Sequence, residues 1–277
     1  EALEYLPEDY VVLGYPEQID DHSCVEAGRN DFQLHSPDMM GSGAGSDYHA
    51  VLDLTDTEII TSADLDAEAT LVDWAVDYGP AMGEYVDFIK GANILVKSTG
   101  AYINLTNVTA ESSSGVLLLT ALNSDSMSRY ALTKNDMTGK GVEMTITDSD
   151  ISGDIQAYDY QRNIIVTLNG SVWTGAYTTC SQEEWNAMWS DECKADESCY
   201  WILSEDYFNG EGTQADMYID AGSTWNAAGV SHFTGTLTIE EGGVVNGILI
   251  VNGEEIGEAA PGTYEGAIEV IDNALAK

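Results

Sequence analysis

Apolar residues in this chain come in short bursts. From about Asn93 onward the runs NILVKS, AYINLTNVTA, GVLLLTAL, GVEMTITDSDI, NIIVTL, ADMYIDA, GTLTIE and NGILIVNG follow one another, each bounded by Gly, Asn, Asp or Ser. Each run is too short for a helix and rich in Val, Ile, Leu and Thr, which predicts β-strands. Their starts recur: Ile94 to Val116 is 22 residues, Val116 to Val142 is 26, Val142 to Ile164 is 22 and Met217 to Leu237 is 20. A loose period in this range is that of one coil of a β-solenoid, where each coil stacks on the last through parallel ladders. The competing arrangement is a sandwich of antiparallel hairpins, for which LNGSV and VNGEE supply Asn-Gly turns.

One motif sharpens the solenoid reading. LNGSVWTGAY and DAGSTWNAAG share a Gly-Ser-x-Trp core, and Trp173 and Trp225 stand 52 residues apart. That gap is too long for one coil. If 178–213 leaves the stack as an excursion, what remains is about one coil, and Trp173 and Trp225 become coil markers at equivalent positions on adjacent coils.

The expected organisation is one domain. Residues 1–50 form an irregular cap, 51–177 coils, 178–213 a Cys- and aromatic-rich excursion, 214–256 further coils, and 257–277 a closing strand and tail. HAVLDLTDTEII and ATLVDWAVD look like strands, HSPDMMGSGAGSD is a small-residue loop, and SQEEWNAMW is the best candidate for a short helix. Solenoid ends need covering, because bare edges invite stray pairing.

Charge narrows the partners. With 9 Lys and Arg against 48 Asp and Glu, the formal charge is -39. Such a chain repels nucleic acid and anionic membrane surfaces, and it suits divalent cations, cationic surfaces or high salt. No apolar run approaches a membrane-spanning helix. The four cysteines, Cys24, Cys180, Cys193 and Cys199, include no Cys-x-x-Cys pair, so disulfides are favoured over a zinc site, and with them a secreted or cell-surface location. Three connectivities are open; short loops favour Cys193 with Cys180 or Cys199.

The order INLTNVTAESSSGVLLL, VEMTITDSDISGDI, NIIVTLNGSVWTGAY, MYIDAGSTWNAAGVSHFTGTLTIEEGGV, NGILIVNGEEI resembles secreted bacterial right-handed parallel β-helix proteins, adhesin-like, similar to autotransporter passenger domains and to the pectate lyase fold. The resemblance spans about Asn93 to Ile256, including Gly153, Asp154 and Ile155 and the steps Gly170 to Trp173 and Gly222 to Trp225. It implies an all-β, right-handed parallel β-helix in a secreted or surface protein; the disulfide-stapled excursion and the irregular N-terminal cap expected from the residues depart from the family pattern. A stiff rod with long faces and open ends that can stack reads as an extracellular structural or adhesive solenoid, including the subunit of a self-assembling surface filament. Its partners would be further copies of itself, or glycans and proteins of a host or neighbouring surface.

The alternative is a polysaccharide hydrolase or lyase on the same scaffold. A lyase acting on an acidic sugar needs a basic groove, and this chain offers only Arg129, Lys134, Lys140 and Arg162 in its middle. A hydrolase needs two carboxylates at a set separation, which so acidic a chain always offers somewhere. His22, His35, His49 and His232 are scattered and fit no catalytic motif, so no catalytic residue is assigned and a non-enzyme is expected.

Calcium is the one cofactor the sequence suggests. In TDSDISGD, Asp148 and Asp150 share a face if the segment is extended, and Asp154 follows a glycine that can turn the chain back. The competing reading is an outward acidic ladder. Asp53, Asp56 and Glu58 form a second, weaker group. Asn104, Asn107 and Asn169 fit the glycan-acceptor pattern, which chance also supplies in so Asn- and Thr-rich a chain. Trp185, Trp189, Tyr200, Trp201, Tyr207 and Phe208 crowd into the excursion, either as a contact for a ligand or partner or as its own small core.

Overall fold

The computed structural model describes residues 10–13, 32–35, 49–61, 92–97, 100–121, 141–157, 163–179 and 214–275. Among these the protein is all-β, with a large, curled and mostly parallel sheet consistent with a β-solenoid. After β1 (Tyr10–Leu13) and β2 (Phe32–His35), the first turn comprises β3 (His49–Thr55), β4 (Glu58–Thr61) and β5 (Ile94–Lys97). The second has β6 (Gly100–Thr106), β7 (Thr109–Ser112) and β8 (Val116–Ala121). The third has β9 (Val142–Thr147), β10 (Asp150–Ser152) and β11 (Asp154–Ala157), and the fourth β12 (Ile164–Asn169), β13 (Val172–Gly175) and β14 (Tyr177–Thr179). Then come β15 (Ala215–Ile219), β16 (Thr224–Ala227), β17 (Val230–Ile239), β18 (Val244–Asn246), β19 (Ile248–Val251), β20 (Glu254–Glu258) and β21 (Gly262–Ile271).

Strands stack in columns. The first column runs β3-β6-β9-β12-β15-β17 and the third β2-β5-β8-β11-β14-β17; the second holds β4-β7 and, separately, β10-β13-β16-β18. Alternation along each strand sends every second residue inward. In the first column Leu52, Ile103, Met144, Val166, Met217 and Leu237 are register partners in series, and all are buried. Apolar side chains from the three columns make one continuous core.

The phase of the repeat differs from the spacing of strand starts. Val142 does pair with Ile164 and Met217 with Leu237, at 22 and 20 residues. Ile94, however, pairs with Leu118, and Val116 and Val142 stand in different columns, so their 26-residue step is not one coil. Val142 is instead the partner of Ala101. The chain adds residues between β8 and β9, and strand starts alone do not reveal which column a strand joins.

The C-terminal end departs from parallel order. Strand β17 serves two columns: Thr178 pairs with His232 in the third, and Met217 with Leu237 in the first. It turns between them at Gly235, where a Cβ would lie 2.3 Å from the carbonyl oxygen of Ala215. Along its whole length β17 pairs antiparallel with β21, from Val230 opposite Ile271 to Ile239 opposite Gly262. The other edge of β21 pairs antiparallel with β19, Ile248 opposite Ile271 and Val251 opposite Ile268. Thus β21 is a wedge, filling in the third column the place between β17 and β19 where two successive coils would otherwise meet. At the opposite end of the first column, β1 also pairs antiparallel, with β3.

Candidate functional site

The corner joining the first column to the second is built from residues that tolerate a left-handed backbone. Asp56, Asn107, Asp148 and Gly170 have φ of 54°, 52°, 48° and 59° on successive turns. Asp, Asn and Gly are the residues for which this conformation is cheapest. The Asn107 side-chain amide donates to Asp56 Oδ1 at 2.5 Å, and Gly170 N–H donates to the Asp220 carboxylate at 3.1 Å. Burial would raise the Asp220 pKa, but Ser223 Oγ and the N–H groups of Gly170 and Gly222 donate to the carboxylate and hold it below the usual range.

Thr57 and Val108 follow the first two corners, and from the third turn on a serine follows the corner and turns inward. Ser149, Ser171 and Ser223 are buried and linked coil to coil: Val108 N–H donates to Ser149 Oγ (2.9 Å), Ser149 N–H to Ser171 Oγ (3.1 Å) and Ser171 N–H to Ser223 Oγ (3.0 Å). The hydroxyls donate in turn to Thr147 O, to Ile146 O or Asn169 O, and to Asp220 Oδ1. Two residues further on, Trp173 and Trp225 are register partners, fully buried and stacked with ring centroids 5.3 Å apart. Each indole N–H donates to the carbonyl of a glycine on the preceding turn, Trp173 to Gly153 (2.8 Å) and Trp225 to Gly175 (2.9 Å). Gly-Ser-x-Trp is therefore a stacking unit: corner, hydroxyl rung, aromatic rung.

The acidic triplet does not form one extended face. Asp148 lies in the left-handed corner, Asp150 begins β10, and Asp154 lies across the next corner. Half-buried Asp154 accepts the N–H of Ala176 at 2.8 Å; burial pushes its carboxyl up, and that hydrogen bond only partly offsets the shift. Asp53 and Asp56 accept the side-chain amides of Asn104 and Asn107, while Glu58 opens β4. Among the described residues no three His, Cys, Asp or Glu side chains group closely enough to hold a metal ion. Exposed Asn104 and Asn107 each spend their amide on the neighbouring turn, and Asn169 ends β12.

His35, His49 and His232 fall on β2, β3 and β17. His22, all four cysteines and the aromatic group Trp185, Trp189, Tyr200, Trp201, Tyr207 and Phe208 lie outside the described residues, as does the expected helix at SQEEWNAMW. What is described is where such segments leave the stack. The chain departs at Ala121, Ala157 and Thr179 and returns at Gly141, Asn163 and Gln214, each time between the third column and the first. The ladders β9-β12-β15 and β11-β14-β17 continue across these departures. Of the nine Lys and Arg, only Lys97 falls on a described residue, whereas Arg129, Lys134, Lys140, Arg162 and Lys194 belong to the segments leaving at this corner.

The serine ladder was not singled out from the sequence, although the repeated Ser171 and Ser223 beside the tryptophans were its signal. Beneath the departure corner Tyr177 packs on Phe233 at 4.8 Å. Tyr177 donates its hydroxyl to Ile164 O, and burial, with the charge of Asp216, pushes its pKa well up. No protein-family model, no curated protein and no solved structure matches this chain significantly.

Proposed function

We propose that this chain is an extracellular structural or adhesive β-solenoid, a right-handed parallel β-helix whose stack holds a contact surface along one corner. The carrying observation is that 122–140, 158–162 and 180–213 leave on three successive turns from the corner between the third column and the first, whereas 62–91 leaves between the second column and the third. In repeat proteins, insertions that collect on one side commonly form the binding side. Here they bring Arg129, Lys134, Lys140, Arg162 and Lys194 and the aromatic group from Trp185 to Phe208 to a rod whose own columns are acidic. Aromatic and cationic side chains are effective anchors for sugars and for protein partners. Right-handed winding is the handedness preferred for parallel crossover connections. Disulfides among Cys24, Cys180, Cys193 and Cys199 would staple the excursion in an oxidising compartment.

The test replaces 180–213 with a short Gly-Ser linker. Strand pairing on either side of the departure is expected to survive, so the variant keeps its β-sheet circular dichroism and cooperative melt while losing binding on an array of surface glycans and cell-surface proteins. Undiminished binding by the folded variant overturns the assignment of the surface. Release of reducing or unsaturated sugars from a polysaccharide panel by the native chain overturns the non-enzymatic reading.

A further inference from the structure

We propose that β21 is an exchangeable strand, and that two copies of this chain form a closed dimer by each placing its β21 in the other's slot. The slot is set by the register: β17 on one side and β19 on the other, both antiparallel to β21. It is the one place in the described stack where a strand from outside the coil order is inserted between two coils. All that holds β21 there is available equally to the same strand from a second copy. Ile268 and Val270 fill the core, and the backbone ladder runs the full 10 residues.

Asn252 clasps the strand at the point where the β19 ladder ends. Its N–H donates to Ala267 O (2.7 Å), its amide nitrogen donates to Glu265 O (3.1 Å), and its Oδ1 accepts Ala267 N–H (2.9 Å). Gly266 lies under that amide, where a Cβ would meet Asn252 Oδ1, and it faces Gly235 across the ladder, so both strands turn the corner together. These contacts are specific to the strand and indifferent to which copy supplies it.

The hinge is different. Only 259–261 connects β20 to β21, and Tyr264 locks it: its hydroxyl donates to Ala260 O (2.8 Å) and accepts Ala260 N–H (3.2 Å). This contact exists only while the hinge is folded back within one copy. Short hinges under strain invite strand exchange, this one lies between Gly257 and Gly262 with φ of 88° and 154°, and an exchange between identical partners closes on itself as a two-fold dimer. The outer strand β20 presents exposed Glu254, Glu255 and Glu258, which discourages open-ended pairing at this edge.

The closed and exchanged states differ at the hinge alone, which sets the test. Deleting Ala259 and Ala260 makes the return from β20 to β21 too short within one copy, and the full chain carrying this deletion is expected to run as a dimer by light scattering at all concentrations. Tyr264→Phe removes the lock in both copies and is expected to raise the dimer association constant about a hundredfold, a factor of about ten for the pair of modest hydrogen bonds lost from each copy. Asn252→Ala weakens closed and exchanged forms alike, and its association constant is expected to match that of the native chain. A folded deletion variant that stays monomeric, or that forms open-ended assemblies, overturns the proposal. If the deletion prevents folding, an unchanged association constant for Tyr264→Phe overturns it just as well.

Discussion

Two Asn-Gly dipeptides in this molecule do opposite things. At Asn169-Gly170 only the glycine is left-handed, and the chain goes on through Ser171 into another column. At Asn252-Gly253 both residues are left-handed, with φ of 53° and 79°, and the chain folds straight back as the hairpin β19-β20. The second is the geometry that suits a tight antiparallel hairpin. What separates them is what waits beyond the turn. After Gly170, the Oγ of Ser171 meets Ser149 N–H on the preceding turn and its N–H meets Ser223 Oγ on the following one, whereas after Gly253 the chain continues into exposed Glu254 and Glu255. Both regions have backbone ladders and a buried core, but the stack adds side chains bonding along the axis, whereas the closure adds one clasp.

If that difference is real, glycines in the two regions should respond differently to a methyl group. A Cβ on Gly175 would lie 2.3 Å from the backbone oxygen of Gly153 and 3.0 Å from the Trp173 ring, and neither can move without disturbing the stack. Gly175→Ala is expected to cost at least about 3 kcal/mol, comparable with a severe overpacking. At Gly266 the obstacle is the Asn252 amide, a side-chain tip that can swing away, although a φ of 116° adds strain. Gly266→Ala is expected to cost about 1–3 kcal/mol, the usual range for an L-residue in such a conformation. Urea unfolding of both variants checks the order, and equal losses would break the distinction.

The aromatic rungs give effects of the same size as Gly175→Ala. Trp225→Ala removes a fully buried ring, its stack on Trp173 and the hydrogen bond to Gly175 O, for an expected loss of about 3–5 kcal/mol. Val270→Ala, in the closure, deletes a smaller buried side chain and is expected to cost about 2 kcal/mol or less. Near-ultraviolet circular dichroism should lose the coupled tryptophan signal in Trp225→Ala and keep it in Val270→Ala.

Much of the stack was legible in the sequence because each layer repeats its chemistry. The bursts of Val, Ile, Leu and Thr mark the strands, and the Gly-Ser-x-Trp pair points to the register in which Trp173 meets Trp225. The phase of the coils was not legible. Val116 and Val142 begin similar runs in different columns, since an apolar burst carries no label of its column. Nor was the wedge. GTYEGAIEVIDNALAK reads as a closing strand, but Ile268 and Val270 alternate identically whether a strand pairs parallel or antiparallel. Asp148 misled for a third reason: aspartate fits an extended strand or a left-handed corner, and neighbouring residues decide between them.

Polar rungs rank below the aromatic ones. Ser171→Ala leaves Ser149 N–H without its acceptor inside the core, which is expected to cost about 1–3 kcal/mol, the penalty for a stranded buried group. Asn252→Ala, on an exposed turn where water can replace the amide, is expected to cost about 1 kcal/mol. Restoring the hydroxyl as Ser171→Thr should recover part of the first loss, which distinguishes a missing hydrogen bond from a general packing defect.

The smallest expected effect concerns pH, and it separates the regions by charge. Asp220 is held below the usual range in the folded stack by its donors, so its contribution is complete above its unfolded pKa of about 4 and drains as pH falls through the lower folded value. Asp154 has the opposite sign: burial raises its folded pKa, so it costs stability at neutral pH and returns it as pH falls through that raised value. Asp220→Asn should therefore melt below the native chain at pH 7 and converge with it as pH falls through the lowered folded pKa. Asp154→Asn, whose amide oxygen still accepts Ala176 N–H, should melt at or above the native chain at pH 7 and lose that advantage in acid. The Asn252 clasp carries no charge, so the deficit of Asn252→Ala should be the same at both pH values. A deficit that disappeared in acid would mean that the closure, like the stack, is held by a carboxylate.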